Sequence, residues 1–515
     1  MNFNTLLFPV FFAVCAAICW ITPTRLRPYW LLLASYGYYC YQPANRQLVF
    51  FLLFATLVSW LAGILLRSKH SAVRRAVLWG SILLCLSPLV VFKQYSFFYQ
   101  LVHSTRPDKL LYPLGISYFT FQSLGYVIDR YRRKYPAEKN LLHYALYVSF
   151  FPCIFTGPIE RYDHLMPQLK ARPAFHYNDV AGGAFRMLWG YCKKMVLADH
   201  LAVFVLSYYS GSAKGASGPM AAAAAVCFAL QLYLDFSGCC DMAIGGARMM
   251  GFHLKENFNN PFLATSYADL WRRWHMSLTG WFRDYVYISL GGNRKGLPRW
   301  ALNTLIVFGV SGIWHGLDWG YLLWGLACGA LLVVEQLPAK LRKQKAAAVP
   351  APVPAAVGAP AEVAASAAPA PEAPPHARHA RHAARLQTGP SALCMVWLRR
   401  ILVFTEFSLC FILFAQALYT SGNSAAGFSI LFTGWNAAGF AALSSAWQAA
   451  QLTGAVSVVL MAGIFIVFAV ESRGDVAQWI RRRNFAVRWV LYYVLLLTIL
   501  FFGVFGKSDF IYQNY

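Results

Sequence analysis

Charged side chains are scarce in this sequence. Asp, Glu, Lys and Arg together make up 13% of its 515 residues, against about 25% in soluble domains, while hydrophobic residues make up 58%. Apolar stretches recur at the length of about 20 residues that an α-helix needs to cross a bilayer. The composition therefore excludes a set of ordinary soluble domains and predicts an integral membrane protein surrounded by the lipid bilayer.

Acidic residues are the scarcer charged class, with 20 Asp and Glu against 45 Lys and Arg. In a soluble protein such a basic excess would indicate nucleic-acid binding. Here the basic residues stand between apolar runs, for example Arg25 and Arg27 after the first run and 481–483 before the last. That is the positive-inside pattern of cytoplasmic loops. We therefore expect no nucleic-acid partner, and we expect both chain ends on the periplasmic side.

Metal-binding patterns are also missing. None of the 12 cysteines belongs to a CxxC pair, and the adjacent Cys239 and Cys240 suit neither an ordinary disulfide nor a zinc pair. The tract at 376–385 alternates His with Arg, but no second cluster of ligands accompanies it. We predict buried thiols and no metal site.

The pattern of apolar segments predicts an all-α, polytopic transmembrane protein with about twelve crossings, accompanied by short re-entrant and interfacial helices. Segments such as 30–42 and 301–314 are too short to cross alone and are expected to face protein or water. The predicted helical segments are 3–21, 30–42, 47–66, 76–100, 111–128, 142–158, 183–208, 220–248, 301–314, 318–337, 397–419, 428–446, 453–471 and 486–505.

Composition divides the chain into four regions. Residues 1–337 form the predicted main core. Residues 338–396 are an Ala/Pro-rich, basic stretch that cannot build a hydrophobic core, and we expect a disordered cytoplasmic linker. Residues 397–505 hold further transmembrane helices, and 506–515 form an extracytoplasmic tail.

Ionisable residues stand in and next to the apolar segment 220–248. Asp235, Asp241 and Arg248 would be costly in lipid and are expected to face the interior of a helix bundle. Asp241 and Arg248 are seven positions apart, so one helical face could carry both. Either they form a buried ion pair that fixes helix packing, or they serve the function.

A second polar region covers 267–296. Trp271, Trp274 and Trp281 recur at helical spacing with arginines between them, which predicts one amphipathic helix in the plane of the cytoplasmic interface. His275 lies in this region. It is either an interfacial hydrogen-bonding residue or part of a site.

His315 lies between the apolar runs 301–314 and 318–337. The basic loop before them is expected in the cytoplasm, and a helix over 301–314 rises only about 21 Å. His315 is therefore expected inside the membrane, where an ionisable residue indicates function. Histidine is the commonest general base, so catalysis or an ion relay is one interpretation, and a hydrogen-bonded core histidine is the other.

These residues belong to longer motifs that resemble the membrane-bound O-acyltransferase family, in particular its bacterial branch that O-acetylates alginate, cellulose or peptidoglycan. The resemblance covers most of residues 1–335. The motifs are PLGISYFTFQSLGYVIDRYR (113–132), FPCIFTGPIERYDHLMPQL (151–169), LDFSGCCDMAIGGARMMGF (234–252), ENFNNPF (256–262), WRRWHMSLTGWFRDYVYISLGGNRKG (271–296) and WHGLDWGYLLWG (314–325).

The resemblance implies roles for particular residues. The active-site histidine of the family matches His315, which would be the general base, and its second histidine, in the RRWH motif, matches His275. Trp314 and Trp319 would line the acyl tunnel. The other supporting residues in the matched motifs are Trp274, Arg273, Asp235 and Asn257.

The resemblance also implies a function. An acetyl group from cytoplasmic acetyl-CoA would cross a thinned membrane centre for O-acetylation of a cell-envelope polysaccharide, either an exopolysaccharide such as alginate or peptidoglycan. No bound cofactor is expected. The protein would lie in the bacterial inner membrane with N- and C-termini in the periplasm, beside a separate periplasmic acetyltransferase partner.

The chain ends in GKSDFIYQNY. Members of this branch commonly end in a Phe-Ile-Tyr-Phe-x-Phe motif, which Phe510, Ile511 and Tyr512 match. Gln513 and Tyr515 depart from it. The resemblance implies that Tyr512 transiently carries the acyl group, and the alternative is a frayed aromatic terminus at the interface.

A polytopic transporter or channel without acyl-transfer chemistry is the main alternative function, because it would also place ionisable residues near mid-membrane. The chain shows no pair of interrupted helices in two equivalent halves, which an inverted-repeat transporter would have. A non-catalytic scaffold for an envelope assembly is a third reading.

Overall fold

The computed structural model describes residues 7–41, 43–103, 113–154, 156–171, 173–211, 216–348, 390–419 and 426–506. Within these residues every regular element is a helix and no strand is present, which confirms the all-α prediction. The first group of helices is α1 (Leu7–Ile21), α2 (Arg27–Tyr41), α3 (Pro43–Leu65), α4 (Ser71–His103), α5 (Ile116–Tyr131), α6 (Leu141–Ser149), α7 (Phe151–Ile154), α8 (Tyr162–Ala171), α9 (Tyr177–Tyr191), α10 (Asp199–Tyr209) and α11 (Gly218–Met249).

The second group comprises α12 (Tyr267–Arg273), α13 (Met276–Phe282), α14 (Leu297–His315), α15 (Trp319–Ala348), α16 (Pro390–Tyr419), α17 (Ala426–Ile430), α18 (Ala437–Ala449), α19 (Ala455–Glu471), α20 (Val476–Arg481) and α21 (Phe485–Phe502). Two helices continue into π-helical turns, Cys192–Ala198 after α9 and Arg283–Tyr287 after α13. A 3₁₀ turn covers Pro261–Leu263.

In the described part of the chain, six helices are long and apolar enough to cross a membrane, judged by length and composition. Their spanning stretches are Arg46–Leu65, Ser71–Tyr95, Gly218–Met249, Trp319–Gln344, Ser391–Tyr419 and Phe485–Phe502. Shorter apolar helical stretches are Leu7–Ile21, Leu141–Ile154 and Ala455–Glu471. The fold is that of a polytopic membrane protein, while the total of about twelve crossings stays a prediction.

Helix α14 is longer than the apolar run 301–314 predicts. It begins at Leu297, with Pro298 in its first turn and Gly296 before it, a start that the fixed φ of proline favours. Its 19 residues rise about 28 Å, so the argument from a 21 Å rise was wrong. The position of His315 inside the protein rests instead on the burial of its side chain.

The predicted span 428–446 is not one helix, because α17 and α18 occupy its two ends. Gly434 has a φ of 66° in the turn between them. The Asn436 side chain then accepts a hydrogen bond from the backbone N of Gly439 (2.9 Å) and caps a new helix. The prediction of a single crossing was wrong because turn and capping residues interrupt the apolar pattern.

Helix α11 lies at the centre of the bundle, and most of its residues are buried. It packs against α9 at two pairs of glycines. A Cβ atom on Gly183 would lie 2.5 Å from the carbonyl oxygen of Gly245, and one on Gly190 would lie 2.5 Å from that of Gly238. Small residues allow such close approach between transmembrane helices. This contact brings charged residues of the two helices within ion-pairing distance.

The ends of the linker are helical. Helix α15 continues to Ala348 and α16 begins at Pro390. Both helices therefore reach into the range 338–396 that the composition assigned to the linker. Residues 349–389 lie outside the described residues.

The helices on both sides of the linker hold the segment around α12. Glu335 of α15 accepts hydrogen bonds from the backbone N atoms of Tyr267 (2.7 Å) and Ala268 (2.9 Å). Arg400 of α16 donates from Nε to the carbonyl oxygen of Leu263 (3.2 Å). The Glu335 carboxylate satisfies N–H groups at the start of α12, where a negative charge is favourable. These contacts position the helix that leads into His275.

Candidate active site

His315 is the last residue of α14, and its side chain is buried. Aromatic rings surround the imidazole, with centroid distances of 5.3 Å to Trp324, 4.9 Å to Phe414 and 6.0 Å to Tyr321. The helix ends here because Gly316 is extended, with φ 165° and ψ 157°. The imidazole therefore lies in a largely apolar shell contributed by α14, α15 and α16.

Gln94 fastens the turn that carries His315 to α4. Its Nε2 donates to the carbonyl oxygen of Ile313 (3.0 Å), and its Oε1 accepts from the backbone N of Leu317 (2.7 Å). The two bonds lie on either side of the histidine along the chain and satisfy backbone groups at a helix end. Sequence analysis missed Gln94, although a buried polar residue in a spanning helix is itself a signal of function.

Trp314 links His315 to a cation. The ring centroids of Trp314 and His315 are 4.4 Å apart, and the Nζ atom of Lys93 lies 4.5 Å from the centre of the Trp314 ring. Such cation–π contacts are stronger away from water. Two neighbouring residues of α4 thus contact the segment around His315, Lys93 through a ring and Gln94 through the backbone.

His275 lies where the predicted amphipathic helix breaks. Its backbone is left-handed, with φ 42° and ψ 54°, and it separates α12 from α13. The prediction of one helix with Trp271, Trp274 and Trp281 on a single face was therefore wrong. The side chains of His275, Trp274 and Trp281 are all buried. A non-glycine residue keeps a left-handed backbone only where its surroundings hold it.

Asn257 holds this left-handed turn. Its side-chain oxygen accepts from the N (3.1 Å) and Oγ (2.9 Å) of Ser277 and lies 3.0 Å from Nδ1 of His275. Its amide nitrogen donates to Sγ of Cys240 (3.3 Å). Because an amide oxygen only accepts, Nδ1 of His275 carries the ring proton. Burial lowers the pKa of His275 to about 3, so the ring is neutral at pH 7 and its Nε2 is a hydrogen-bond acceptor.

His275 and His315 line one cavity, which we call the histidine cavity. Its volume is about 70 Å³, which is room for a few water-sized groups and too little for a segment of polymer. Half of the twelve residues that line it have Trp or Phe side chains, namely Trp271, Trp274, Phe282, Phe308, Trp324 and Phe411. The break at His275 and the end of α14 at His315 thus bring the two histidines of the sequence motifs to one buried, mostly apolar space.

Three other predicted site residues, Trp319, Arg273 and Trp314, do not line this cavity. Trp319 is 75% exposed at the start of α15. Arg273 pairs with Asp269 through Nε and Oδ2 at 2.8 Å on a partly exposed face of α12. Trp314 contacts His315 but is not part of the cavity wall. Tyr512 lies outside the described residues.

Asp235 belongs to a buried ion pair rather than to the cavity. Its carboxylate lies 2.9 Å from Nζ of Lys194, which also lies 2.7 Å from Asp199. All three side chains are buried. Lys194 is part of the π-helical segment after α9, so this network joins that segment to α10 and α11.

The predicted pairing of Asp241 with Arg248 was wrong. Asp241 binds Nζ of Lys193 (2.6 Å) and the guanidinium of Arg186 (2.8 Å), whereas Arg248 binds Asp179 (3.2 Å). The reason is that α9 supplies Arg186 and the π-helical segment after it supplies Lys193, and both cations lie within ion-pairing distance of Asp241. Within the described ranges, no group of three or more His, Cys, Asp or Glu side chains could hold a metal ion.

A second cavity, the acidic chamber, has a volume of about 280 Å³. Its charged lining residues are Arg186, Lys193, Asp241, Glu256, Glu471 and Asp475. Asn257 and Met276 also line it, and Asn257 binds His275 on its other side. The pair of Asn257 and His275 therefore stands between the acidic chamber and the histidine cavity.

Comparisons with known proteins found several relatives of this chain. The probable alginate O-acetylase AlgI of Pseudomonas aeruginosa is 35% identical over 346 residues, which cover 65% of each chain. The peptidoglycan O-acetyltransferase of Helicobacter pylori is 32% identical over 339 residues, 60% of this chain and 64% of the relative. A teichoic acid D-alanyltransferase of Bacillus subtilis is 29% identical over 297 residues, 55% of this chain and 74% of the relative. The chain thus spans just under two thirds of the length of the Pseudomonas and Helicobacter relatives.

The family model described as MBOAT, membrane-bound O-acyltransferase family, matches residues 11–348. This range runs from α1 to the end of α15. It contains His275, His315 and the helices that hold them. On this match, the chain belongs to the membrane-bound O-acyltransferase family.

Proposed function

We propose that this protein takes an acetyl group from acetyl-CoA on the cytoplasmic side and passes it across the membrane for O-acetylation of a cell-envelope polysaccharide. The observation that carries the proposal is the histidine cavity, where His275 and His315 meet inside a helical membrane body. The names of two relatives, a probable alginate O-acetylase and a peptidoglycan O-acetyltransferase, support acetyl as the transferred group and a polysaccharide as the acceptor.

The donor would enter through the acidic chamber. Glu471 and Asp475 line this chamber, and the basic run 481–483 follows them closely in the chain, which supports a chamber near the cytoplasmic side under the positive-inside rule. Four carboxylates against two cations make its lining unsuited to phosphates. We infer that the uncharged pantetheine arm with its thioester occupies the chamber, while the nucleotide stays outside.

The chemistry would take place between the histidines. His315 removes the proton from the acceptor hydroxyl as its oxygen attacks the thioester carbonyl. The bond from the carbonyl carbon to sulfur breaks, and the thiolate of CoA leaves and takes up the proton from His315. Nε2 of His275, which is a hydrogen-bond acceptor, receives a hydrogen bond from an amide N–H of the bound pantetheine arm. The aromatic wall keeps water away, which protects the thioester from hydrolysis.

The topology follows from the same proposal. The protein would lie in the bacterial inner membrane with its N- and C-termini in the periplasm, where a separate periplasmic acetyltransferase would complete the transfer to the polymer. A transporter or channel is the competing function.

Removing the gene provides the test of this function. We expect the deletion strain to lose ester-linked acetate, released by mild alkali, from at least one purified envelope polysaccharide. The wild-type gene restores it. Unchanged ester acetate in exopolysaccharide and in peptidoglycan, together with altered uptake of a solute, would favour the transporter instead.

Replacing Gln94 with Ala is expected to slow acetyl transfer by about tenfold to a hundredfold, because a displacement of about 1 Å in a catalytic group has an effect of that size. Both hydrogen bonds to the His315 turn would be lost. The KM for acetyl-CoA is expected to change little, since Gln94 lines neither cavity.

Gln168 offers a matched control for this variant. It bridges His253 in the same manner, donating from Nε2 to the backbone O (2.9 Å) and accepting at Oε1 from the backbone N (2.8 Å). Gln168→Ala loses this bridge, worth about 1–3 kcal/mol for two hydrogen bonds, and a third hydrogen bond to the carbonyl oxygen of His164 (3.0 Å). All three bonds lie away from His275 and His315. Equal losses of kcat in the two variants would show that Gln94 contributes stability and no positioning.

A further inference from the structure

A basic cleft of about 330 Å³ lies at the end of the bundle where α3 turns into α4 and where α5 ends. Five cations line it, namely Lys69, Arg74, Arg75, Arg132 and Arg133. No acidic side chain belongs to its lining, and none of the five cations forms an ion pair within the described part of the chain. The cleft therefore concentrates positive charge that the protein itself leaves uncompensated.

The cleft is built from two separate parts of the chain. Residues 69–75 supply one wall and 131–133 the other. Arg133 has a left-handed backbone, with φ 60°. Arg132 is anchored by hydrogen bonds from its guanidinium to the carbonyl oxygen of Asp284 (3.0 Å) and Oγ of Ser289 (3.0 Å). Basic residues that only set membrane topology need to lie in a cytoplasmic loop. They do not need to come together from two parts of the chain in one cleft.

Exposed apolar side chains surround the cleft. Leu65 at the end of α3 is 54% exposed, Val73 at the start of α4 is 44% exposed, and Trp79 two turns further along α4 is 62% exposed. Both helices contain membrane-spanning stretches, Arg46–Leu65 and Ser71–Tyr95. A molecule with a phosphate in the cleft and its apolar part along α3 and α4 would match both features. The N-terminus of α4 at Ser71 adds N–H groups that favour an anion.

We propose that this cleft binds the phosphate headgroup of an anionic phospholipid, with the acyl chains lying against the exposed apolar surface of α3 and α4. Basic pockets beside transmembrane helices recognise anionic lipid headgroups in this way. Arg132 connects the bound headgroup to the segment 283–289. This segment directly follows Phe282, which lines the histidine cavity. The proposal is independent of the acetyl-transfer function, because it concerns a surface that neither histidine lines.

Lipid titration of the purified full-length protein tests the proposal. Native mass spectrometry in detergent gives the apparent Kd of the first phosphatidylglycerol to bind, with phosphatidylcholine as the uncharged reference. The triple variant Lys69→Gln, Arg75→Gln and Arg133→Gln is expected to bind phosphatidylglycerol at least about tenfold more weakly. These three side chains are exposed, so the variant is expected to fold.

A second triple variant controls for net charge. Arg342→Gln, Lys343→Gln and Arg399→Gln remove the same charge from exposed positions outside the cleft, and we expect wild-type affinity. An equal loss of affinity for phosphatidylglycerol in both variants would show that the lipid responds to net charge alone, and the proposed binding site would be wrong. Competition with coenzyme A tests whether the cleft instead binds the phosphates of the acyl donor. If it displaced phosphatidylglycerol from wild-type protein but not from the cleft variant, the cleft would bind the nucleotide of the acyl donor and the lipid assignment would be wrong.

Discussion

Acetylation of the envelope polysaccharide is expected to fall by about 10²–10⁴-fold when His315 is replaced by Ala, the usual effect of losing a general base. His315 lines the histidine cavity together with His275. Among the described residues that line this cavity, none carries a carboxylate that could take over proton transfer. The effect should therefore approach the upper end of this range.

The variant must be shown to reach the membrane in normal amounts. His315→Gln keeps most of the side-chain volume and is expected to lose the same activity, which separates chemistry from packing. His200→Ala is a suitable control, because His200 is a partly buried histidine of α10 whose Nδ1 contacts the carbonyl oxygen of Val196 (2.8 Å). Wild-type acetate in the polymer of either His315 variant would remove His315 from the catalytic role.

Transfer to the polymer is expected to stop when Tyr512 is replaced by Phe, a change that removes one oxygen and keeps the ring. Tyr512 is the seventh residue after Phe505. An extended chain of that length would place Tyr512 at most about 25 Å from Phe505. A phenol with an ordinary pKa of about 10 is a poor nucleophile, but a histidine base within hydrogen-bond distance would activate it. The cavity of about 70 Å³ admits an acyl group and excludes a polymer, so a covalent carrier would explain how the group leaves.

Mass spectrometry of the tail can detect the carrier directly. After incubation with acetyl-CoA, we expect the acetyl group on the peptide that contains Tyr512 in wild-type protein, and its absence in His315→Ala. Tyr515→Phe is the matched control, since it alters another tyrosine of the same tail and should leave transfer intact. Normal polymer acetylation by Tyr512→Phe would favour direct transfer to the hydroxyl of a polymer or partner.

The two histidines of the candidate site could be identified because each lies in a motif that is continuous in the sequence. His275 and His315 lie in motifs whose order along the chain resembles a known family. The apolar runs marked most helices to within a few residues, for example α11, predicted at 220–248 and found at Gly218–Met249. Membrane helices are favourable to such prediction because lipid requires long apolar runs with internally bonded backbones.

The features that sequence analysis missed depend on contacts between distant segments. The helix break at His275 is held by Asn257 through hydrogen bonds to Ser277 and to His275 itself, and helical periodicity carries no sign of it. Gln94 reaches the His315 turn from α4 across the bundle. The partner of Asp241 was misassigned because the competing cations lie on α9 and on the π-helical segment that follows it. Each of these contacts depends on how distant helices pack against each other. The apolar pattern of the sequence does not show that packing.

Acetyl transfer at the histidine cavity can be tested in inside-out membrane vesicles, whose outer surface is the cytoplasmic face of the membrane. The vesicles are supplied with acetyl-CoA that is labelled in the acetyl group. Free CoA thiol and alkali-labile label inside the vesicles are measured together. We expect wild-type vesicles to produce both, in proportion, and vesicles with His315→Ala to produce neither. Label that enters the vesicles without release of free thiol, or equal thiol release by wild type and His315→Ala, would contradict acetyl transfer at the histidine cavity.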